Sequence, residues 1–382
     1  KNTCTTSTMV SNYDTTTTEK PFEAEEWALH PIIDHTIADE LTPGKSMQSV
    51  INRDMWYVLQ SEQGPGIRMG HGCAVVDQNV VFYGGATPEG AFNDLYVLNL
   101  VTLKWSKLEC TGACPSARYE HSFVRIPGTA KICVFGGASE TGNECDVFVL
   151  DTQHGTWEKP TVTGTSPSSR TQHCTTSSHN ALWVFGGGHQ GSKPVDDDKV
   201  HRLCFETWTW AQPEVKGKTP DVRQGHTLNA FDSKLILFGG MNEGGIFNDL
   251  WIFDTNLLEW TAPEVQGPAP CARTTHDAVV FDNRLIISGG LGSLHSTPQA
   301  LDDMAILNID TLTWSVPKLS TAPMNARIDH TMCAIKLYTH ATLPTTTTNT
   351  TATTATTATA TATTTPPPTL TTTTPPPTLT TT

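Results

Sequence analysis

The sequence contains no apolar run of the roughly 18–20 residues that a membrane-spanning helix needs. Basic residues are also scarce, because 24 Lys and Arg stand against 38 Asp and Glu and give a formal net charge of −14. Nucleic acids are bound largely through basic side chains that neutralise phosphates, and anionic membranes attract polybasic segments. The composition therefore argues against a nucleic-acid partner, an integral membrane segment and an electrostatic membrane anchor.

Cysteine is sparse as well, with ten in 382 residues. Cys110 and Cys114 are four apart in sequence, but no second pair follows to complete a zinc site. Free thiols in apolar strands behave as small buried hydrophobes, so the simplest interpretation is reduced cysteines in a cytosolic protein. The cysteines in or beside apolar runs are Cys73, Cys133, Cys174 and Cys333.

The two ends of the chain differ from its middle. Residues 339–382 contain no Lys, Arg, Asp or Glu and consist mostly of Thr, Ala and Pro. Such a segment has too little apolar surface to offset the entropy of ordering it, so disorder is predicted. Residues 1–50 are predicted to form an extended, low-complexity segment. The ordered domain is expected to span residues 51–338.

Within that domain, a set of landmarks recurs about every 50 residues. A glycine pair follows a short apolar run, an Arg-x-x-His element precedes the run, and an Asp and then a Trp come after the pair. Each unit therefore predicts four strands: after His, before the glycines, after Asp and around Trp. The glycines are Gly84, Gly85, Gly136, Gly137, Gly186, Gly187, Gly239, Gly240, Gly289 and Gly290, and the tryptophans are Trp105, Trp157, Trp210, Trp260 and Trp314.

These landmarks have a physical reason. Glycine permits positive φ and close backbone approach at a strand end, and Trp supplies apolar area for packing between sheets. A lone four-stranded sheet leaves a face exposed, so neighbouring sheets must stack, and a radial arrangement protects their edges. The pattern resembles kelch repeats over about residues 56–337. The resemblance implies an all-β, kelch-type β-propeller, a fold usually used to bind proteins.

The ring is predicted to contain five complete four-stranded blades and an incomplete sixth. The sixth begins at Arg327 and continues through Met332–Ile335, after which no glycine pair follows. Trp56 precedes Arg68 by nearly the same spacing that separates Trp105 from Arg118, so Trp56 is assigned to the last strand of the sixth blade. The N- and C-terminal strands would then close the ring together, with the Thr/Pro-rich tail as an insertion ahead of the missing strands.

Cofactor chemistry finds little support. Gly186-x-Gly188-x-x-Gly191 matches the dinucleotide fingerprint, but no helix N-terminus follows to hold a pyrophosphate. Six repeated histidines cannot converge on one metal ion, because equivalent positions on stacked sheets are about 10 Å apart. They are predicted to hydrogen-bond between blades. No cofactor, metal site or catalytic residue is therefore assigned.

The repeated arginines have two interpretations. They could pair with carbonyls and acids inside the ring, or they could surround one mouth of it beside the loops that follow the glycine pairs, where recognition usually occurs. Phe92 and Phe247, late in two of these loops, are either anchors for a partner or packed against their own blades. The partner-binding candidates are Arg68, Arg118, Tyr119, Arg170, Arg223, Arg273, Arg327, Phe92 and Phe247.

Three stretches carry a narrower resemblance: Arg118–His121, Phe185–Gly188 and Arg327–Cys333. They resemble small kelch propellers that act as effectors of Rab GTPases. This implies a non-enzymatic, monomeric cytoplasmic protein that binds a GTP-loaded Rab GTPase, associates with endosomal membranes through that partner, and serves transport from late endosomes to the trans-Golgi.

Other functions stay open at this stage. The chain could be the substrate-recognition subunit of a cullin ubiquitin ligase or another kelch adaptor, although no BTB-like segment precedes Trp56. A copper oxidase would need Tyr and His ligands at one site, and none of the six Tyr is suggestively placed. A secreted protein with a glycosylated tail would use the sequon at Asn349, but the free thiols weigh against it.

Overall fold

The computed structural model describes residues 64–190, 193–294, 297–317 and 325–334. All of them lie in one unit, Lys1–Leu337, and the second unit, Tyr338–Thr382, contains none. The described residues form 33 short strands and no helix, which confirms the prediction of an all-β chain. Residues 1–50, Trp56 and residues 339–382 lie outside this part of the chain, so their predicted roles stay predictions.

Five antiparallel sheets repeat along the chain, one in each complete unit. In every sheet the strands lie side by side in chain order, from an innermost to an outermost strand. The strands are β1 (Gly72–Val76), β2 (Asn79–Tyr83), β5 (Leu95–Asn99) and β6 (Lys104–Lys107) in blade 1; β8 (Ser122–Arg125), β9 (Lys131–Phe135), β12 (Val147–Asp151) and β13 (Thr156–Glu158) in blade 2; β15 (Cys174–Ser178), β16 (Ala181–Phe185), β19 (His201–Cys204) and β20 (Thr209–Ala211) in blade 3; β21 (Thr227–Phe231), β22 (Lys234–Phe238), β25 (Leu250–Asp254) and β26 (Glu259–Thr261) in blade 4; and β28 (Asp277–Phe281), β29 (Arg284–Ser288), β32 (Met304–Asn308) and β33 (Thr313–Ser315) in blade 5.

A short hairpin connects the second and third strands of each blade and stands at one end of the sheets. We call this end the hairpin face. The hairpins are β3 (Ala86–Thr87) with β4 (Gly90–Ala91), β10 (Ala138–Ser139) with β11 (Gly142–Asn143), β17 (Gly188–Gln190) with β18 (Lys193–Pro194), β23 (Met241–Asn242) with β24 (Gly245–Ile246), and β30 (Leu291–Leu294) with β31 (Thr297–Ala300), where β30 also pairs with β27 (Arg273–Thr274).

Two sheets carry a strand that the sequence did not predict. β7 (Thr111–Gly112) and β14 (Thr163–Gly164) pair in parallel with the outermost strands of blades 2 and 3. These strands belong to the connections between blades, which run back along the outer edge of the next sheet. They cover a sheet edge that would otherwise be open for pairing with another chain.

The second strand of each blade explains why the sheets stack. In β9 and β16 every residue after the first is fully buried on both faces, and β16 is buried throughout. The sequence of a strand that is buried on both faces is a continuous apolar run. In a strand with one face in solvent, apolar and polar residues alternate. The short apolar runs before the glycine pairs are therefore the signature of sheets sandwiched between neighbours.

The innermost strands form a ring about a central channel of about 460 Å³. β1, β8, β15, β21 and β28 adjoin one another in chain order. Residues 331–334 fill the gap between β28 and β1. The Thr331 hydroxyl lies 2.9 Å from Nε2 of His71, and the Met332 amide donates to the carboxylate of Asp277. The ring of described residues is thus closed by the first segment of a sixth unit, whose remaining strands stay a prediction.

Backbone hydrogen bonds join the units around one mouth of this channel. At five of the six junctions, the residue before the His donates its N–H to the carbonyl of the equivalent residue in a neighbouring unit, at 2.7–3.2 Å. At the junction between blades 2 and 3, the Gln172 side-chain amide donates to the Glu120 carboxylate at 2.9 Å. All six residues have positive φ: Gly70, Glu120, Gln172, Gly225, Thr275 and Asp329.

Each glycine pair docks on the Arg-x-x-His element of the following unit. The amide of the second glycine donates to the carbonyl of the next arginine at 2.9–3.0 Å in all five units. The first glycine lies so close that a Cβ there would stand 2.4–3.0 Å from that carbonyl oxygen. Both glycines of every pair have positive φ. Only glycine meets both conditions, since it has no Cβ and tolerates positive φ.

Aromatic side chains pack across the same junctions. The aromatic residue before a glycine pair contacts the tryptophan of the next blade, with ring centroids 5.1–5.2 Å apart. Such pairs contribute about 0.5–1.5 kcal/mol beyond the area they bury. In blade 5 this position is Ser288, which therefore offers no ring to the sixth unit. The pairs are Tyr83 with Trp157, Phe135 with Trp210, Phe185 with Trp260 and Phe238 with Trp314.

Replacing the second glycine of a pair is expected to destabilise the ring. In Gly137→Ala the new Cβ would lie 2.7 Å from the Tyr119 carbonyl oxygen and 2.6 Å from Cβ of His121, at a φ of 92°. We expect a loss of about 1–3 kcal/mol in the free energy of unfolding, measured with urea. The control is Gly66→Ala, where the added Cβ meets nothing within 4 Å. Equal stability of the two variants would contradict the close packing of this glycine on Tyr119 and His121.

Candidate protein-binding face

In each of the five complete units, the repeated arginine lies inside its own blade, beside the glycine pair. In blade 4, Arg223 donates to the Gly239 carbonyl at 3.0 Å, to the Asp221 carbonyl at 3.0 Å, and to both carboxylate oxygens of Asp249 at 2.5 and 2.9 Å. Arg118, Arg170 and Arg273 repeat the carbonyl and carboxylate contacts, and these four arginines have no exposed surface. Each guanidinium ties the glycine turn to the start of the third strand.

The carboxylate partners come from the aspartates that follow the hairpins. The pairs are Arg68 with Asp94, Arg118 with Asp146, Arg170 with Asp197, Arg223 with Asp249 and Arg273 with Asp303. In blade 3 the carboxylate partner is Asp197, one of three consecutive aspartates. This aspartate also binds Nε2 of His201 at 2.7 Å, because β19 begins four residues after it rather than one. Beside Arg170 and His201, the pKa of Asp197 falls well below its usual value despite partial burial.

This geometry decides between the two interpretations for four of the arginines. A side chain without exposed surface cannot contact a partner, so the structural interpretation holds for the buried set: Arg118, Arg170, Arg223 and Arg273. The side chain of Arg68 is 7% exposed. Arg327 and Tyr119 keep exposed surface on the hairpin face, so partner binding by them stays a prediction.

Phe92 and Phe247 pack against the arginines of their own blades. The guanidinium of Arg68 lies 4.3 Å from the ring centroid of Phe92, and that of Arg223 lies 4.1 Å from the centroid of Phe247. Both rings are half-buried. Their contact with a buried cation favours packing over anchoring, and their remaining edges border the hairpins.

The prediction that the repeated histidines hydrogen-bond between blades is confirmed for two of them. His71 and His276 contact a Thr hydroxyl of the preceding unit at 2.9 and 3.2 Å. His121, His173 and His226 instead pack nearly edge-on against the aromatic residue before the preceding glycine pair. Within the described ranges, no group of three or more His, Cys, Asp or Glu side chains is placed to hold a metal ion.

Burial keeps these imidazoles neutral. Loss of solvation, with an arginine nearby, lowers the pKa of His71 and His330 to about 4 and that of His173 and His226 to about 3. Burial has the opposite effect on two carboxyls. It raises the pKa of Asp277 and that of Asp329 to about 7, and nearby Glu120 adds to the rise at Asp329.

The thiols also depart from the sequence interpretation. Cys133 is buried in the core as predicted, but Cys73, Cys174 and Cys333 are only half-buried. Those three side chains line the central channel. The apolar pattern of the innermost strands did not distinguish a channel wall from a core, because both lie inside the molecule.

The hairpin face has an acidic outer ring. In the described parts of the connections that follow the glycine pairs, exposed acids outnumber the exposed lysines, Lys193 and Lys199. Positive potential on a partner would therefore steer it toward this face. The exposed acids in these connections are Glu89, Glu140, Asp196, Glu243, Asp302 and Asp303.

One side of this face is apolar. Ile67 is 81% exposed, Met69 44% and Ile328 37%, and half-buried Tyr119 adjoins them in the next blade. Met69, Tyr119 and Ile328 occupy the same position of three successive units, directly after the repeated arginine. In the other three units this position holds buried polar residues: Thr171, Gln224 and Thr274. We call Ile67, Met69, Tyr119 and Ile328 the apolar patch.

The patch is contiguous, because the backbone joins its members. The Gly70 amide donates to the Asp329 carbonyl at 3.2 Å, and the Glu120 amide donates to the Gly70 carbonyl at 2.7 Å. These hydrogen bonds set the residues that precede them, Ile328, Met69 and Tyr119, side by side. Glu120 and Asp329 therefore border an exposed apolar area, a combination typical of protein interaction sites.

A protein-binding β-propeller is the class that this ring defines. Residues 47–141 and 127–341 match the model of the KLHDC2/KLHL20/DRC7 Kelch-repeats domain. The chain belongs to this kelch-repeat family, which confirms the predicted kelch-type propeller. Within the described residues, no helix is present that is long and apolar enough to cross a membrane.

Curated relatives show which kelch proteins the chain is similar to. The chain is 38% identical over 205 residues to the human Rab9 effector protein with kelch motifs, covering 51% of this chain and 55% of the relative. The Xenopus laevis protein of that name is 36% identical over 206 residues, covering 51% and 56%, and the Danio rerio protein 33% over 239 residues, covering 57% and 68%. The chain thus spans about half the length of most of these relatives.

Removal of one carboxylate charge tests the structural role of the buried arginines. Asp303→Asn leaves Arg273 without the charge that it binds at 2.8 and 2.7 Å, whereas Asp302→Asn changes an exposed neighbour. We expect Asp303→Asn to cost about 1.5–3 kcal/mol in urea unfolding and Asp302→Asn to cost almost nothing. Similar losses in both variants would refute the role assigned to this pair.

The buried imidazoles predict destabilisation by acid. The folded state stays neutral at these histidines until its low pKa values, whereas the unfolded chain takes up protons below about pH 6.5. Stability is therefore complete above that pH and falls toward pH 4, by up to about 1.4 kcal/mol per pH unit for each histidine. Asp277 and Asp329 oppose this, because their raised pKa values give stability that is lost as the pH rises toward 7.

Histidines outnumber these carboxyls, so the urea midpoint should be lower at pH 5.5 than at pH 7.5. His173→Gln removes one buried imidazole and should flatten this dependence. The control is His154→Gln, which changes an exposed histidine between β12 and β13. A pH dependence that both substitutions leave unaltered would count against the burial argument.

Proposed function

We propose that this chain is a non-enzymatic adaptor whose hairpin face binds a protein, and that the partner is a Rab GTPase in its GTP-bound state. The apolar patch beside Glu120 and Asp329 is the observation that carries the proposal. A partner suited to it presents apolar side chains flanked by Lys or Arg. The name shared by the relatives, Rab9 effector protein with kelch motifs, supports a Rab GTPase as that partner.

The architecture suits a binding role. The glycine turns, arginine pairs and aromatic contacts fix the blades, so that the hairpins stand on a rigid frame and can vary in sequence without loss of the fold. Recognition by loops on a rigid scaffold is the usual arrangement in proteins of this kind. The hairpins of blades 1, 2 and 4 present exposed acids, while blade 3 presents Lys193.

A cellular role follows from such a partner. Rab GTPases are held on membranes, so an effector would reach the membrane through the GTPase. We therefore propose peripheral association with endosomal membranes and a role in transport from late endosomes to the trans-Golgi. The acidic hairpin face would disfavour direct binding to anionic lipid.

Direct binding tests the partner. The full chain is titrated with Rab9 loaded with a non-hydrolysable GTP analogue and, separately, with GDP. We expect the GTP-analogue form to bind at least about tenfold more tightly, a difference of about 1.4 kcal/mol. The association rate should fall as salt is raised, because the acidic face steers the encounter. Equal affinity for both nucleotide states, or no binding, would overturn the Rab assignment.

Variants of the patch test the surface. Met69→Ser and Ile328→Ser remove exposed apolar side chains, and each should weaken binding about tenfold if the patch is the centre of the interface. Leu257→Ser is the matched control, since Leu257 is 58% exposed in the turn between β25 and β26, at the opposite end of the sheets. Loss of binding in the control alone would place the interface on the other face.

A further inference from the structure

Cys73 and Cys333 face each other where the ring closes. Ala74 and Val76 of β1 belong to the core shared with blade 2. Side chains alternate between the two faces of a strand, so Cys73 points the other way, toward residues 331–334 of the sixth unit. Both cysteines are free, and both line the central channel.

The register of an equivalent junction places the two thiols opposite each other. Between blades 4 and 5, the Thr227 hydroxyl lies 3.2 Å from Nε2 of His276, and two residues further along both strands the Asn229 side-chain amide donates to the Ala278 carbonyl at 2.8 Å. At the closing junction, the Thr331 hydroxyl lies 2.9 Å from Nε2 of His71. Two residues further along both segments come Cys333 and Cys73.

The sulfur atoms also interact. The interaction between the two thiols lowers the pKa of Cys333 and raises that of Cys73, and burial adds to the rise at Cys73. The thiolate is the form that reacts with oxidants, so Cys333 is the more reactive partner and Cys73 is the thiol positioned to react next. The channel supplies a route for a small oxidant.

We propose that Cys73 and Cys333 form a reversible disulfide that joins the first and sixth units when the protein meets hydrogen peroxide. The Cys333 thiolate attacks one peroxide oxygen, the O–O bond breaks, and a sulfenic acid and water result after proton transfer. The Cys73 sulfur then attacks the Cys333 sulfur and displaces the second water. Two thiols lose two protons and two electrons, and peroxide is reduced to two molecules of water.

This disulfide would fasten the ring at its closing junction. It would connect segments about 260 residues apart in sequence, and a disulfide that closes a long loop restricts the unfolded chain most. The oxidised ring should therefore resist opening between blade 1 and the sixth unit. The disulfide would form whatever protein the hairpin face binds, because both cysteines lie in the channel wall.

Peptide mapping of the full-length protein tests the pair without any substitution. The protein is treated with hydrogen peroxide, the remaining thiols are blocked with N-ethylmaleimide, and it is digested without reductant. We expect a peptide that links Cys73 to Cys333, its disappearance after dithiothreitol, and a reversible rise in Tm of several degrees. Separate alkylation of the two cysteines, or a link between Cys73 and Cys174, would refute the proposal.

Single substitutions identify the source of the thermal shift. Cys73→Ser and Cys333→Ser should each abolish the peroxide-dependent rise in Tm, whereas Cys174→Ser, which changes another thiol of the channel wall, should retain it. Persistence of the shift in Cys73→Ser would assign it to another oxidation and overturn the proposal. The mapping result stands even if one of these variants fails to fold.

Discussion

The docking of each glycine turn on the next unit is the constraint on which this ring depends. The N–H of the second glycine donates to the carbonyl of the following arginine at 2.9–3.0 Å. The first glycine has no Cβ and so leaves room for that carbonyl oxygen. The same arginine then holds its own glycine turn and aspartate with its guanidinium. Each unit therefore contacts the unit before it and the unit after it. A closed ring also needs this contact between its first and last units.

The repeated contacts leave one face free to differ. Packing fixes the glycines, arginines and tryptophans. At the position after each arginine, the backbone pairs with the residue after the glycine pair in five units, but the side chain differs from unit to unit. Three units use polar residues there that are buried, and three expose apolar side chains. The three exposed apolar side chains mark one side of the ring as a candidate interface. The repeated residues cannot mark one side, because they occur in every unit.

Sequence reasoning reached the fold through local chemistry. Glycine pairs after apolar runs predicted strand ends, and the period of about 50 residues predicted stacked sheets. It could not tell a buried arginine from an arginine at the mouth, since both follow the same pattern. It predicted hydrogen bonds between blades for the repeated histidines, but not the edge-on aromatic packing of three of them. In each instance the partner lies elsewhere in the chain, and only folding brings it near.

The sequence alone determined the strand pattern, the turn positions and the stacking of units, because steric limits on φ and the apolar content of each run act within a few residues. Tertiary structure decided which arginines are enclosed, which exposed side chains adjoin, and that Cys73 meets Cys333. Those outcomes depend on distances between units, and the closing contact joins residues about 260 positions apart. No local pattern specifies such a contact, because the angle between successive sheets accumulates around the whole ring.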